Sequence, residues 1–170
     1  MGGLSERQVG CCDRADYVSA ICKLASAGIL KNEGTMNSRS RARLVPCVFG
    51  PLPIRAINRA LSLELDDGDV VMSVNAMRHA ARRHPADFAR CFPHVATVVA
   101  APLYVRDAFV NDGKIELVGK AAGLGDYLLV AVEVSLDSAG RYNVVSFYPV
   151  SERKVEKRRE SGHLRRVILI

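Results

Sequence analysis

Apolar positions along the chain switch between helical and strand spacing, and the switches mark out its elements. From Asp13, a helix-capping residue, to about Leu30, Tyr17, Ile21 and Leu24 fall on one helical face, flanked by Ala20 and Ala25. Gly34 and the polar, basic run Thr35 to Arg43 then read as a linker or flexible loop. Residues 1–44 are therefore expected to be an accessory element, a helix that docks on the main domain or on a second copy. Residues 45–170 are expected to form the main domain. There, Pro51 and Pro53 precede a helix over Ile54 to Leu61, and the cluster Asp66-Asp67-Gly68-Asp69 makes a turn into a short strand, Val70 to Ser73. Ser73 or Asn75 caps a helix from Ala76 to about His84, where Pro85 opens another.

The pattern then turns β-like. Val95 to Ala100 and Leu103 to Val105 read as strands, and Asn111-Asp112-Gly113 as a turn before the strand Lys114 to Gly119. Tyr127 to Ser135 is a long β-branched run suited to a central strand. Asp137 to Gly140 reverses the chain, and Arg141 to Tyr148 alternates as the hairpin partner. Strict alternation puts Tyr142, Val144, Ser146 and Tyr148 on one face, with Asn143, Val145 and Phe147 on the other. A basic helix follows from Ser151 to about Ser161, and the chain ends in apolar Val167 to Ile170. Helices first and a twisted antiparallel sheet afterwards predict an α+β fold.

Composition narrows the function classes. With 170 residues the chain has room for one core, and its 49% hydrophobic content argues against disorder. No apolar run is long enough to span a membrane, and Lys23, Ser26 and Gly28 break the only candidate signal segment, so a cytoplasmic origin is expected, with later delivery into a target cell left open. Five cysteines without regular spacing argue against a disulfide framework. Cys91 and His94 have ligand-like spacing, yet two donors do not make a four-ligand zinc site, so neither a metal nor a cofactor is expected. The net charge of +6 points to a polyanionic partner. Seven Lys or Arg residues between Arg153 and Arg166 face only Glu156 and Glu160.

Four short strings occur in an informative order. They are RHAARRHP (Arg78 to Pro85), Ala101-Pro102-Leu103-Tyr104 at a turn expected to follow a strand, KIELVGK (Lys114 to Lys120), and YNVVSFYPV (Tyr142 to Val150) before the basic helix. In that order, Ile54 to Leu164 resembles the phage and toxin branch of the barnase, EndoU, colicin E5/D and RelE-like ribonuclease superfamily. The resemblance implies a compact helix-plus-antiparallel-sheet fold and RNA cleavage without a metal. It also implies that a Ser or Thr on the last long strand belongs to the site.

Such cleavage needs a base for the 2′-hydroxyl, an acid for the leaving 5′-oxygen, and cations beside the phosphate. His79 and His84 suit the proton transfers because imidazole titrates near neutrality. Five positions along a regular helix differ by about 140°, so the two rings share a face only if the helix ends near Pro85. His79 is accordingly the stronger catalytic candidate, and His84 serves equally well as a capping residue. Ser146 is a candidate donor to a phosphate oxygen, and Tyr148 a candidate for stacking on a base or holding the ribose. Arg82, Arg83, Lys120, Lys154 and Arg158 are candidate phosphate contacts, although charge runs on helices are often no more than solvated surface. His94 and His163 have no evident partner.

The expected function is a metal-independent endoribonuclease, a toxin or phage-encoded effector that leaves a 2′,3′-cyclic phosphate. RNA, including tRNA, is the expected substrate, and the resemblance implies a cognate inhibitor protein. The alternative is a basic RNA-binding module of the same fold without a competent proton relay. A metal-dependent DNA nuclease is disfavoured because no Asp, Glu and His cluster stands out in the sequence.

Overall fold

A computed structural model describes residues 45–107 and 113–169. The expected N-terminal helix, the basic linker and most of the Asn111-Asp112-Gly113 turn lie outside the described residues. The described chain runs β1 (Cys47–Pro51), α1 (Ile54–Leu61), β2 (Asp69–Met72), α2 (Val74–Arg83), α3 (Pro85–Cys91) and a 3-10 turn (Phe92–His94). It continues through α4 (Val95–Ala100), β3 (Tyr104–Asp107), β4 (Lys114–Lys120), β5 (Tyr127–Glu133), β6 (Tyr142–Val150), α5 (Glu152–Glu160) and β7 (Arg165–Arg166). The strands form one open sheet in the order β1-β2-β6-β5-β4-β3-β7, antiparallel throughout except where β2 pairs with β6. The fold is α+β.

β5 occupies the middle of that order, which explains its unbroken run of buried residues from Tyr127 to Val132. Leu128, Val130 and Val132 enter the main core with Ile57, Met77, Phe88 and Val99 from the helices. Tyr127, Leu129 and Ala131 enter a smaller core on the opposite face, closed by Val155 of α5 and by Leu164. A strand covered on both sides has no polar face, so it reads as continuous rather than alternating. The β5–β6 hairpin is pinned at its turn by Asp137. Its carboxylate accepts from the Ala139 and Arg141 backbone N–H groups (2.9 and 3.0 Å) and from the Arg141 guanidinium. The Arg141 partnership holds the Asp137 carboxyl below the usual carboxylate range.

Three expectations need correction. First, Val95 to Ala100 is a helix, not a strand. Val95, Val98 and Val99 are buried while Thr97 and Ala100 are exposed, a spacing of three and four that fits a helix continuing from α3 through the 3-10 turn. β-Branched composition suggested a strand, and burial against the sheet overrode it. Gly119 of β4 completes this packing, because a Cβ there would lie 3.1 Å from a Val98 methyl. The turn at Ala101-Pro102 therefore follows a helix. Second, a strand, β1, precedes the first helix, and it had no sequence signal of its own. Third, β6 does not alternate throughout. The register slips at Val145, so that Ser146 opposes Ala131 while Val144 opposes Val132. This bulge places Phe147 with Tyr142 and Val144 on the helical side of the sheet, where it packs on Phe88 and Phe92.

Cys91 lies in the main core, fully buried. Burial, reinforced by the nearby Asp87 carboxylate, pushes its thiol up from 9.0 to about 11. Between those values the unfolded thiol ionises while the folded one keeps its proton, so the unfolded state binds fewer protons and stability falls as pH rises. Urea midpoints measured from pH 8 upward should therefore decline less steeply in Cys91→Ala than in the parent chain. An equal slope would show that other groups carry the alkaline loss.

Candidate active site

Helix α2 begins at Ser73, whose hydroxyl accepts from the Ala76 N–H at 3.2 Å. Met77 and Ala81, four apart, are buried in the core. The adjoining stripe Ala76, His79, Ala80 and Arg83 is left to border a cavity. The helix ends where sequence spacing required it to end. His84 is both the last cap of α2 and the first cap of α3, with φ −139° and ψ 66°. Its N–H donates to the Ala80 carbonyl (2.9 Å) and its carbonyl accepts from the Phe88 N–H (2.8 Å). Pro85 then starts α3, where a missing N–H costs nothing. The break reorients the chain, and His84, Asp87 and Phe88 border the same cavity as His79.

The facing wall is β6. β2 covers this strand only at Tyr142 and Asn143, and no described strand pairs with that edge beyond them. Val145, Ser146, Phe147 and Tyr148 line the cavity along the uncovered stretch, and its volume is about 550 Å3. The Phe147 ring stands 5.6 Å from that of Phe88 and 6.0 Å from that of Phe92, which fixes this wall against α3. Ser146 and Tyr148 pair with Ala131 and Leu129 of the smaller core. Their side chains therefore leave the sheet toward α5, and the two residues meet the cavity at the strand's open edge.

The cavity brings together His79, His84, Arg83, Ser146 and Tyr148 from the sequence-derived candidates. His79, Arg83 and His84 are exposed to solvent. Arg83 makes no ion pair with any described residue, so its charge is available to a ligand. Arg82 lies on α2 outside the lining. Lys120 sits in a separate small hollow, paired with Glu152 at 3.2 Å and 4.9 Å above the Tyr127 ring; the Glu152 partnership holds its ammonium above the ordinary lysine value. Arg158 of α5 reaches Glu116 at 3.5 Å, and Glu116 also holds Arg106 at 3.3 Å. Lys154 is exposed on α5, apart from the cavity, with no ion pair to a described residue. Among the described residues no group of three or more His, Cys, Asp or Glu side chains converges as a metal site. None of the described helices is long and apolar enough to cross a membrane.

Sequence reasoning missed Asp87, Phe88, Val145 and Phe147 in this lining. Asp87 and Phe88 were findable, since they follow His84 by three and four positions in a helix opened by proline. Phe147 was not, because the bulge that redirects it leaves no mark on the alternation of β6.

A basic, two-histidine cavity set between a broken helix and the open edge of an antiparallel sheet has groups suited to a phosphodiester. Residues 50–157, more than half of the chain, match the family model described as phage-Barnase-EndoU-ColicinE5/D-RelE like nuclease 3, and the chain belongs to that nuclease family. No curated protein and no solved structure matches it.

Proposed function

We propose that the protein is an endoribonuclease that cleaves RNA by attack of the neighbouring 2′-hydroxyl. The observation that carries this reading is the break at His84, which lets both imidazoles and Arg83, unpaired among the described residues, border one cavity. One imidazole removes the 2′-hydroxyl proton as the 2′-oxygen bonds to phosphorus. The P–O5′ bond breaks, and the second imidazole, protonated, delivers its proton to the departing 5′-oxygen. The products are a 2′,3′-cyclic phosphate and a 5′-hydroxyl end. Arg83 stabilises the charge gathering on the phosphoryl oxygens, with the main chain of Ser146 at the edge of the site. His79, held on a regular helix, is the better-positioned proton carrier.

Outside the cavity, Arg82 and Lys154 extend the phosphate-binding surface, while Lys120 and Arg158 share their charge with Glu152 and Glu116. Family membership supports a phage-encoded or toxin setting with tRNA among the targets and a cognate inhibitor in the producing cell. Residues 1–44 act as an accessory element in this reading.

The test is incubation of the full chain with total RNA in excess chelator, followed by mapping of the ends. Cyclic phosphates and 5′-hydroxyls should accumulate, and an oligonucleotide with one 2′-deoxyribose at the scissile position should stay intact. Binding without cleavage would instead identify an RNA-binding module, and cleavage of the deoxy substrate would identify a different nucleophile.

A further inference from the structure

We propose that the open edge of β6 is a nucleobase-reading site, so that the substrate is a single unpaired nucleotide recognised largely by main-chain groups. This rests on the ribonuclease reading above and adds how the substrate is selected. Beyond Asn143 no described strand pairs with this edge, and no backbone hydrogen bond joins Val145, Ser146, Phe147 or Tyr148 to the helices opposite. A strand edge of this kind presents N–H donors and C=O acceptors in a row. Here the residues of that edge, Val145 to Tyr148, border the cavity.

The surroundings suit a base better than any other occupant. Phe88 and Phe147 form an apolar floor, and Phe147 is only half-buried despite its two ring contacts. Val145 at the rim is 44% exposed, unusual for a large apolar residue on an inner strand. A flat heteroaromatic ring covers such surface and offers hydrogen-bonding groups along its edge. Across the cavity stand Arg83, His79 and His84, with the Asp87 carboxylate on the same wall, and the Arg83 guanidinium suits the phosphate of the same nucleotide. Base on the strand side and phosphate on the helix side define one bound unit. An extended peptide also adds to open sheet edges, but its backbone brings no phosphate to Arg83 on the opposite wall.

The volume of about 550 Å3 lies within the roughly 300–1,000 Å3 of pockets that take one small ligand. A base already paired in a duplex has its edge occupied and its faces stacked. It must be extruded, at a cost of a few kcal/mol, before it reaches β6.

Two measurements on the full chain test this. In the first, the 15N-labelled protein is titrated with each of the four nucleoside 3′-monophosphates and with inorganic phosphate. Amide signals of Val145 to Tyr148 should shift with the nucleotides and stay put with phosphate alone, and Kd should differ at least about fivefold among the bases. Unmoved β6 amides, or Kd values equal within twofold, would overturn the proposal whether or not RNA is cut. In the second, a single-stranded RNA is compared with the same RNA annealed to its complement. Cleavage should fall on the order of 100-fold on annealing, matching the extrusion cost. Equal rates on the two forms would remove the base-reading site while leaving the ribonuclease in place, whereas no cleavage of either would sink the ribonuclease reading and leave the titration to decide the base site.

Discussion

His79→Ala should lower kcat/KM on RNA by on the order of 100-fold or more, the usual loss when a positioned proton carrier is removed. The side chain is exposed on α2, so the variant should keep the parent's circular dichroism and melting temperature. His84→Ala separates two arrangements. A loss equal to that of His79→Ala indicates that both imidazoles move protons, one as base and one as acid. A loss under about fivefold indicates that His84 acts through its backbone, which breaks the helix between Ala80 and Phe88 whatever side chain it carries. Asp87, the only carboxylate bordering the cavity among the described residues, would then be the next residue to test. A His79→Ala variant that stays within fivefold of the parent would remove this histidine from the chemistry.

Leu128→Ala should cost about 2–5 kcal/mol, the range for truncating a buried leucine in a tightly packed interior. That is a large part of the roughly 5–15 kcal/mol that holds a domain of this size together. Leu128 is fully buried between β5 and the helices, where neighbours on several elements hinder collapse into the void. Leu129, its chain neighbour, is equally buried but faces the smaller core under α5. Fewer elements enclose it, and α5 is free to settle inward, so Leu129→Ala should lie nearer the lower end of the range. Urea midpoints at constant m-value check the order. If Leu129→Ala proves the more damaging, α5 is anchored more rigidly than its single buried residue, Val155, indicates.

These substitutions also show which parts of the fold were legible in the sequence. β5 was, because burial on two faces leaves an uninterrupted β-branched run. The end of α2 was too, since Pro85 forbids a continuous helix, and that boundary made a two-histidine site feasible. The helix over Val95 to Ala100 was not: three valines in six residues favour a strand locally, and the outcome rests on burial of Val95, Val98 and Val99 against the sheet, with Val98 close to Gly119. The bulge at Val145 was hidden for another reason. Register is a relation between two strands, and nothing within YNVVSFYPV states that its partner runs one residue short. Arg158 illustrates a third kind of blindness. Its place in a basic run suggested a phosphate contact, whereas its partner, Glu116, lies on a strand 42 positions earlier (158 − 116).

β2 and β6 pair in parallel, Val70 opposite Tyr142, with α2 through β5 looped out between them. Closing so long a loop has an entropic cost before any contact across it is gained, and contacts of this span slow folding. The two walls of the cavity belong to the two ends of that loop, Ala76 to Phe88 at one and Val145 to Tyr148 at the other. A chain still being synthesised can build its helices early, yet it has no second wall until residues near 150 have emerged and joined the sheet. The two walls therefore face one another only after residues far apart in the chain have met in the sheet, so the cavity is among the last features of the domain to be completed.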